Sequence, residues 1–344
     1  MFRGLHLALS SRVQPILARS RTIFHSNIHT NTNPNINTQA RNKTKTNMAG
    51  ETFVLKEYNN VPVTTQGLEK DQLTNWPPFK NWISTLSHSL SLQSQPSHPF
   101  HNNPYHLKDV TIESYSLFRG KSIGFAKLNA NVSTADGNSS LPGIIFLRGP
   151  AVAMLVVLIP DDVQPTSADA LDEAYVLLTV QPRIPTGSLG FVELPAGMLD
   201  GDSNFAGVAA REIKEELGMV IKQTELTCLT DKVGEIRQAR DAKKDAGTGK
   251  PDATKDENIP FAMFPSAGGC DEYIKIFSHE RRVPRSTLQE WEGKYGGLRD
   301  EGEMITLKVV PLEDLWLEGA MDSKALAAVA LYRKVKQWEK QQSK

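Results

Sequence analysis

The segment that most constrains this chain is residues 193–219, ELPAGMLDGDSNFAGVAAREIKEELGM. Residues 195–197 end a strand and begin a turn, and Ser203 is a good N-cap for a following helix. Gly218 suits the left-handed position that ends such a helix. The apolar face of the helix consists of Ala206, Ala210, Ile213 and Leu217. The segment therefore predicts a strand, a loop and a helix over residues 205–217 that packs against a sheet.

The acidic residues of this helix predict a cation site. Glu212 and Glu216 are four residues apart and share one helix face, with Glu215 beside Glu216. Like charges at this spacing destabilise a helix unless something neutralises them, and Arg211 neutralises only part of the charge. Magnesium takes oxygen ligands, with one or two carboxylates beside water and substrate phosphates. A solvated acidic face is the alternative interpretation of the helix taken alone.

Composition argues against several classes of function. The 344 residues contain 39 basic and 39 acidic side chains, so we expect no bulk attraction to nucleic acid or to a membrane surface. The two cysteines, Cys228 and Cys270, are too few for a disulfide framework and lack zinc-site spacing, which indicates a reducing compartment. The longest apolar run, residues 151–159, is too short for a membrane span and predicts a buried strand.

The first 47 residues differ in composition from the rest of the chain. They are rich in serine, threonine and asparagine, and no acidic residue precedes Glu51. Their basic residues include Arg3, Arg12, Arg19, Arg21, Arg41, Lys43 and Lys45. This composition is typical of an organellar transit peptide, and we predict a mitochondrial one for residues 1–47; the alternative is a basic tail with no targeting role. Met48 offers a start for a shorter cytosolic form.

The rest of the sequence predicts an α/β protein with two regions. Residues 48–140 indicate a small N-terminal region rich in strands. Residues 141–340 carry a series of strand patterns, the helix described above, and a C-terminal helix that Ser323 would cap. Strands with few helices between them imply a mixed sheet flanked by helices. The polar stretch 237–260 predicts a flexible inserted loop.

The acidic segment resembles the Nudix box, whose pattern is Gx5Ex7REUxEExGU with U an apolar residue. Gly197 opens the pattern in this chain. The later positions are filled by Arg211, Glu212, Ile213, Glu215, Glu216, Gly218 and Met219. One position departs, because Ser203 stands where the pattern has a glutamate. That glutamate is not usually the main metal ligand in the family, so the resemblance retains the core ligands and leaves the effect of Ser203 open.

The resemblance extends to the ADP-sugar diphosphatase branch of the family, near the ADP-ribose pyrophosphatases. It rests on residues 182–200 (PRIPTGSLGFVELPAGMLD), 264–272 (FPSAGGCDE) and 297–316 (GLRDEGEMITLKVVPLEDLW). It implies a Nudix α/β/α sandwich over residues 141–340, and a homodimer in which residues 48–140 help to build the partner's site. The implied activity is Mg²⁺-dependent hydrolysis of the pyrophosphate bond of a nucleoside-diphosphate sugar, with Mn²⁺ as the alternative metal. An ADP-sugar or ADP-ribose would yield AMP and a sugar phosphate.

The resemblance also assigns roles to individual residues. The metal ligands would be Glu212, Glu216, the carbonyl of Ala196 and, as a shared or neighbouring ligand, Glu215. Glu303 resembles the late acidic residue that acts as base or extra metal ligand, and Glu301 is the competing candidate. Arg183 resembles the arginine that contacts substrate phosphate, a task suited to a planar guanidinium. Glu272 matches an acidic residue that lies near the substrate.

Other interpretations stay open at this point. Glu301 and Glu303 could be solvated loop charges, and Arg183 could pair with a surface carboxylate. The substrate could be UDP-glucose or another nucleoside-diphosphate sugar. Ser203 could mark a non-catalytic sensor of nucleotide sugars, although the retained acidic residues argue against that. A hydrolase of oxidised nucleoside triphosphates is a further alternative.

Overall fold

Two β-sheets organise the chain. The computed structural model describes residues 50–118, 122–164, 171–199, 201–248, 257–299 and 302–342, without the side chains of residues 242–248. Within these ranges the strands form a six-stranded and an eight-stranded sheet, and both belong to the unit Met48–Lys344. None of the described helices combines the length and apolar character that a bilayer crossing requires. The predicted transit segment and Glu301 lie outside the described residues.

The first sheet is the predicted N-terminal β-rich region. Its strands are β1 (Glu51–Leu55), β2 (Val61–Thr65), β3 (Tyr105–Phe118), β4 (Ser122–Thr134), β5 (Ser140–Leu141) and β6 (Ile144–Leu147). β1 and β2 are antiparallel, β2 and β3 are parallel, and β3 and β4 form a long antiparallel pair. Between β2 and β3 come helices α1 (Lys70–Thr74) and α2 (Pro77–Ser91), and α2 buries Phe79 and Ile83 in the core of this region.

This sheet extends beyond the predicted boundary at residue 140. Strand β6 pairs with β4 and is therefore part of the first sheet, whereas the sequence pattern grouped it with the strands that follow. Only a short turn containing Gly149 and Pro150 separates β6 from the next apolar run. Two neighbouring apolar runs predict two strands but do not reveal which sheet each strand joins.

The second sheet is mixed. Its strands are β7 (Ala151–Pro160), β8 (Tyr175–Arg183), β9 (Ser188–Glu193), β10 (Ala196–Met198), β11 (Thr227–Cys228), β12 (Ile274–Val283), β13 (Tyr295–Gly296) and β14 (Ile305–Pro311). The order across the sheet is β11-β12-β7-β8-β14-β13, with β10 paired to β7 and β9 paired to β8. β12 and β7 are parallel, whereas β7 is antiparallel to β8.

Helices cover both faces of this second sheet. They are α3 (Phe205–Leu217), α4 (Leu229–Thr248), α5 (Arg285–Trp291), α6 (Leu315–Glu318) and α7 (Ser323–Gln342). α3 and α5 pack on one face, and α4, α6 and α7 pack on the other. Every residue of β7 is buried, because alternate side chains such as Leu155 and Val156 enter opposite cores. The predicted α/β/α sandwich with a mixed sheet is confirmed.

The predicted flexible loop over residues 237–260 is wrong in part. α4 continues to Thr248, so the first half of the stretch 237–260 is helical; residues 249–256 lie outside the described part. Leu229, Val233 and Ile236 anchor the start of α4 to the core, and the polar sequence that follows continues the helix without a periodic apolar signal.

Two helix N-caps differ by one residue from prediction. The side chain of Asn204, not that of Ser203, accepts a hydrogen bond of 3.0 Å from the Gly207 amide at the start of α3. At α7 the carboxylate of Asp322, not the hydroxyl of Ser323, accepts a hydrogen bond of 3.1 Å from the Lys324 amide. In both places two capping residues follow one another, and the sequence alone does not choose between them.

Candidate active site

The predicted ligands Glu212 and Glu216 lie on α3, which contacts β10 and the end of β13. The helix has the predicted bounds and ends at Gly218, whose φ is 68°. β10 pairs with β7 through Ala196 and Gly197, so the turn before the helix is anchored to the central strand of the sheet. The strand, loop and helix therefore bring the ligands to one end of the sheet.

Gly197 makes room for the carboxylate of Glu212. A Cβ atom at position 197 would lie 2.1 Å from Cδ of Glu212, far closer than any van der Waals contact allows. The Glu212 side chain thus occupies the space that a side chain at residue 197 would fill. This gives the glycine a physical role, because it lets a helix carboxylate lie against the backbone of β10 next to Ala196.

Glu216 is the most unusual group in this site. Its residue is only 5% exposed, and its Oε2 atom has no hydrogen-bond partner among the described residues. Burial raises the pKa of this carboxyl well above its usual range, and the negative charges of Glu212 and Glu193 raise it further. The positive charge of Arg183 acts in the opposite direction and lowers the pKa of Glu216. A buried carboxylate without a hydrogen bond is unfavourable, and a hard cation would satisfy it.

The side chains of this site are of the type that binds a divalent cation, although the described residues do not form a preformed coordination site. The carboxylates of Glu212, Glu193 and Glu303 act on Glu216, and Mg²⁺ and Mn²⁺ accept carboxylates as ligands. Within the described ranges, no three His, Cys, Asp or Glu side chains form a ready-made cation site. Mg²⁺ commonly binds through one or two carboxylates and completes its shell with water and substrate phosphates, so the arrangement fits that mode.

Glu215 and Glu303 border the same end of α3. The carbonyl of Glu215 accepts a hydrogen bond of 3.2 Å from the Gly297 amide, and the side chain of Glu215 is half-buried. Glu303 is exposed, its Oε2 accepts a hydrogen bond of 2.9 Å from the Leu298 amide, and its charge acts on Glu216. The structure therefore brings Glu303 near the proposed ligands, while the competing Glu301 lies outside the described residues.

Arg183 contacts a carboxylate that the sequence analysis did not single out. Its Nε donates to Oε1 of Glu193 at 2.6 Å, and Glu193 is only 3% exposed. The other oxygen of Glu193, Oε2, accepts a hydrogen bond of 3.0 Å from Nζ of Lys324. The partner of Arg183 is thus a buried acid rather than a surface carboxylate. The only sequence signal for Glu193 was its place directly before the turn at residues 195–197 that leads to the acidic helix.

Lys324 and Asp322 join the site from the start of α7. Nζ of Lys324 also donates to Oδ1 of Asp322 at 2.9 Å, and Asp322 is only 3% exposed. Oδ2 of Asp322 accepts a hydrogen bond of 2.9 Å from the Leu194 amide. Burial lowers the pKa of Lys324, but Asp322 and Glu193 outweigh that effect and raise it above its ordinary value. Lys324 therefore stays charged, and nothing in the sequence indicated its role.

Glu272 lies in a second ion pair nearby. Its Oε1 is 2.8 Å from Nη1 of Arg148, the residue that follows β6. Burial raises the pKa of Glu272, whereas Arg148 and Lys324 act to lower it. Glu272 thus lies within the electrostatic reach of Lys324 and of the pair around Glu193. Arg211, in contrast, contacts Asp202 at 3.9 Å on the surface.

Comparison with known proteins identifies the family. The NUDIX domain matches residues 163–332. Nudix hydrolase 14, chloroplastic, of Arabidopsis thaliana is 35% identical over 255 residues, which cover 74% of this chain and 69% of that protein. The chain belongs to the Nudix hydrolase family. A solved structure described as an ADP compounds hydrolase is 18% identical, with a TM-score of 0.38 and coverage of 69% of this chain and 95% of that one.

The same comparison corrects the predicted location of this Nudix protein. The Arabidopsis relative is named as chloroplastic, which contradicts the mitochondrial prediction. The physical reason for the error is compositional. Transit peptides of mitochondria and of chloroplasts share an arginine- and serine-rich, acid-poor composition, so the residues that suggested a mitochondrial address do not distinguish the two organelles.

Proposed function

We propose that this Nudix protein hydrolyses the pyrophosphate linkage of nucleoside-diphosphate sugars in the presence of Mg²⁺ or Mn²⁺, with an ADP-sugar or ADP-ribose as the leading substrate. The observation that carries the proposal is the buried Oε2 of Glu216, which has no hydrogen-bond partner among the described residues and lies near further carboxylates. A cation and an anionic diphosphate together would compensate that charge. Burying a carboxylate without a hydrogen-bond partner costs free energy, and a bound cation would offset that cost.

In this proposal Glu212, Glu216 and the carbonyl of Ala196 hold the divalent cation, with Glu215 as a shared or neighbouring ligand. When bound, the cation neutralises the diphosphate and lowers the pKa of a water molecule. Gly197 supports the arrangement by leaving the space that Glu212 fills.

The remaining residues act on substrate and proton. Arg183 donates to the leaving phosphate as negative charge moves onto it. Water attacks phosphorus, a P–O bond of the bridge breaks, and Glu303 takes the proton of the water. Glu303 suits this role because it is exposed to water yet near Glu216; Glu301 stays the competing base. Glu272, beside Arg148, borders the substrate.

Location and assembly complete the proposal. Because the Arabidopsis relative is chloroplastic, we assign residues 1–47 to a plastid transit peptide. Residues 48–147 form an N-terminal region that serves a homodimer and helps to build the partner's site, and residues 148–340 form the hydrolase domain. The first sheet supports this division, because it ends with β6 (Ile144–Leu147) and provides a separate core around Phe79 and Leu128.

A substrate panel with product identification tests the activity. The full-length protein is incubated with ADP-ribose, ADP-glucose, UDP-glucose and an oxidised nucleoside triphosphate, each with Mg²⁺, Mn²⁺ or EDTA. We expect AMP and a sugar phosphate from the ADP-sugars, and no product in EDTA. Preferred cleavage of UDP-glucose would move the substrate class to the alternative. Release of pyrophosphate from the triphosphate alone, or binding of ADP-ribose without AMP release, would contradict the proposal.

A further inference from the structure

Glu193 has two cationic partners that differ sharply in exposure. Arg183 contacts Oε1 and its side chain is 39% exposed, whereas Lys324 contacts Oε2 and its side chain is 13% exposed. The carboxylate between them is 4% exposed. One counter-ion of this buried acid is therefore accessible to substrate, and the other is enclosed in the protein.

We propose that Lys324 is the fixed counter-ion of Glu193, and that it allows Arg183 to move from this carboxylate onto the diphosphate of the substrate. The inference rests on the proposed function, because it takes Arg183 as the phosphate-binding residue. Lys324 is a positioning residue in this account, since it acts through Glu193 and Arg183 rather than on the substrate.

The contacts of Lys324 explain why it stays in place. Its Nζ also binds Oδ1 of Asp322 at 2.9 Å. Asp322 is buried and is itself fixed by the Leu194 amide at 2.9 Å and the Lys324 amide at 3.1 Å. If Lys324 left Glu193, two buried carboxylates would face each other without their shared cation, which is strongly unfavourable.

Arg183 is placed to exchange partners. It is the last residue of β8, it is more exposed than Lys324, and it binds Glu193 through Nε. A guanidinium carries five N–H donors, and its geometry matches phosphate as well as carboxylate. When Arg183 moves from Glu193 to the substrate, Glu193 still has Lys324 as its counter-ion. Without Lys324, the same exchange would leave a buried carboxylate unpaired, so Arg183 would be retained by Glu193 and the substrate would bind weakly.

A double-mutant cycle tests this dependence. Full-length wild type, Lys324→Met, Arg183→Gln and the double variant are titrated with ADP-ribose in EDTA by calorimetry, and KM and kcat are measured with Mg²⁺. We expect Lys324→Met to weaken ADP-ribose binding about tenfold and to lower kcat/KM by at least the same factor, because Arg183 held by Glu193 is also lost to the leaving phosphate. In the Arg183→Gln background, Lys324→Met should change binding by less than about twofold. Lys324→Arg should restore most of the affinity.

Lys336→Met is the matched control. Lys336 lies on the same helix and forms an ion pair of 2.5 Å with Glu280, outside the proposed machinery. Its replacement should leave ADP-ribose binding unchanged. Additive effects of Lys324→Met and Arg183→Gln would overturn the inference, because they would mean that Lys324 affects binding independently of Arg183. Unchanged binding in Lys324→Met would overturn it as well.

A second comparison applies if Lys324→Met does not fold. Glu193→Gln/Asp322→Asn is then compared with Glu193→Gln/Asp322→Asn/Lys324→Met, since neutral residues at 193 and 322 need no counter-ion. The two variants should bind ADP-ribose within about twofold of each other, and a loss above about fivefold would contradict the inference. Failure of the wild type to cleave any nucleoside-diphosphate sugar would instead contradict the proposed function, so the two failures are distinguishable.

Discussion

At the scale of single residues, the space between Gly197 and Glu212 shows how local chemistry shapes the site. Gly197, the first residue of the Nudix pattern, has no side chain, and the carboxylate of Glu212 fills the space that a side chain would occupy. The obstruction that an alanine would create is the far end of a flexible side chain, not backbone. A substitution there should therefore displace Glu212 without disturbing the fold.

We predict that Gly197→Ala lowers kcat at least about tenfold while changing the free energy of unfolding by less than about 1 kcal/mol. The Cβ atom would force the Glu212 carboxylate away from β10. The measurement is steady-state hydrolysis of ADP-ribose beside denaturant unfolding. Gly268→Ala is the control, because a Cβ at residue 268 would meet no described heavy atom within 4 Å. Equal activity of the two variants would contradict this role of Gly197.

Residue spacing predicted only part of the site. It identified Glu212 and Glu216, because a helix repeat places them on one face. It did not reveal Lys324 or Asp322, which reach Glu193 and Leu194 from 131 and 128 positions along the chain. Contacts between such distant residues depend on how α7 packs on the sheet, and no local pattern encodes that packing.

At the scale of elements, α3 follows its sequence closely and α4 does not. The bounds of α3 match prediction because its apolar face and Gly218 are local signals. α4 carries few apolar residues after Ile236, so the sequence shows no helical periodicity of apolar residues over the part that continues to Thr248. β7 was predicted as a buried strand, since both of its faces are apolar.

The cap of α3 provides a test at this scale. Asn204→Ala should lower the free energy of unfolding by about 1 kcal/mol, because the Gly207 amide loses its acceptor. Ser203→Ala should change it by less than about 0.5 kcal/mol, since Ser203 is an exposed neighbour of the cap. Both variants are compared by urea denaturation. A larger loss for Ser203→Ala than for Asn204→Ala would contradict the observed cap.

At the scale of the whole molecule, the loop around Asp271 joins the two sheets. The Phe146 amide of β6 donates to the Gly269 carbonyl at 2.8 Å. The carboxylate of Asp271 accepts hydrogen bonds from the Arg148 amide at 2.7 Å and from the Gly149 amide at 3.1 Å. The next residue, Glu272, pairs with Arg148 near the proposed site. The first sheet therefore helps to fix the segment that carries Glu272.

We predict that Asp271→Ala destabilises the protein by about 2 kcal/mol, because two partly buried amides lose their acceptor. Asp271→Asn keeps one carbonyl oxygen and should lose less than half as much. Thermal and denaturant unfolding of the full-length chain measures both. Equal losses in the two variants would show that the hydrogen bonds to Arg148 and Gly149 do not carry this stability.

The central claim is that Glu216 helps to bind the divalent cation that promotes cleavage of the pyrophosphate bond. Its most direct test compares Glu216→Gln with Glu235→Gln, an exposed glutamate that pairs with Lys232. With ADP-ribose and Mg²⁺, Glu216→Gln should lose at least about a hundredfold in kcat, while Glu235→Gln stays at the wild-type rate. The free energy of unfolding of Glu216→Gln should equal or exceed that of the wild type, because an amide replaces a buried carboxylate with no hydrogen bond at Oε2. Wild-type kcat in a folded Glu216→Gln variant would contradict the account.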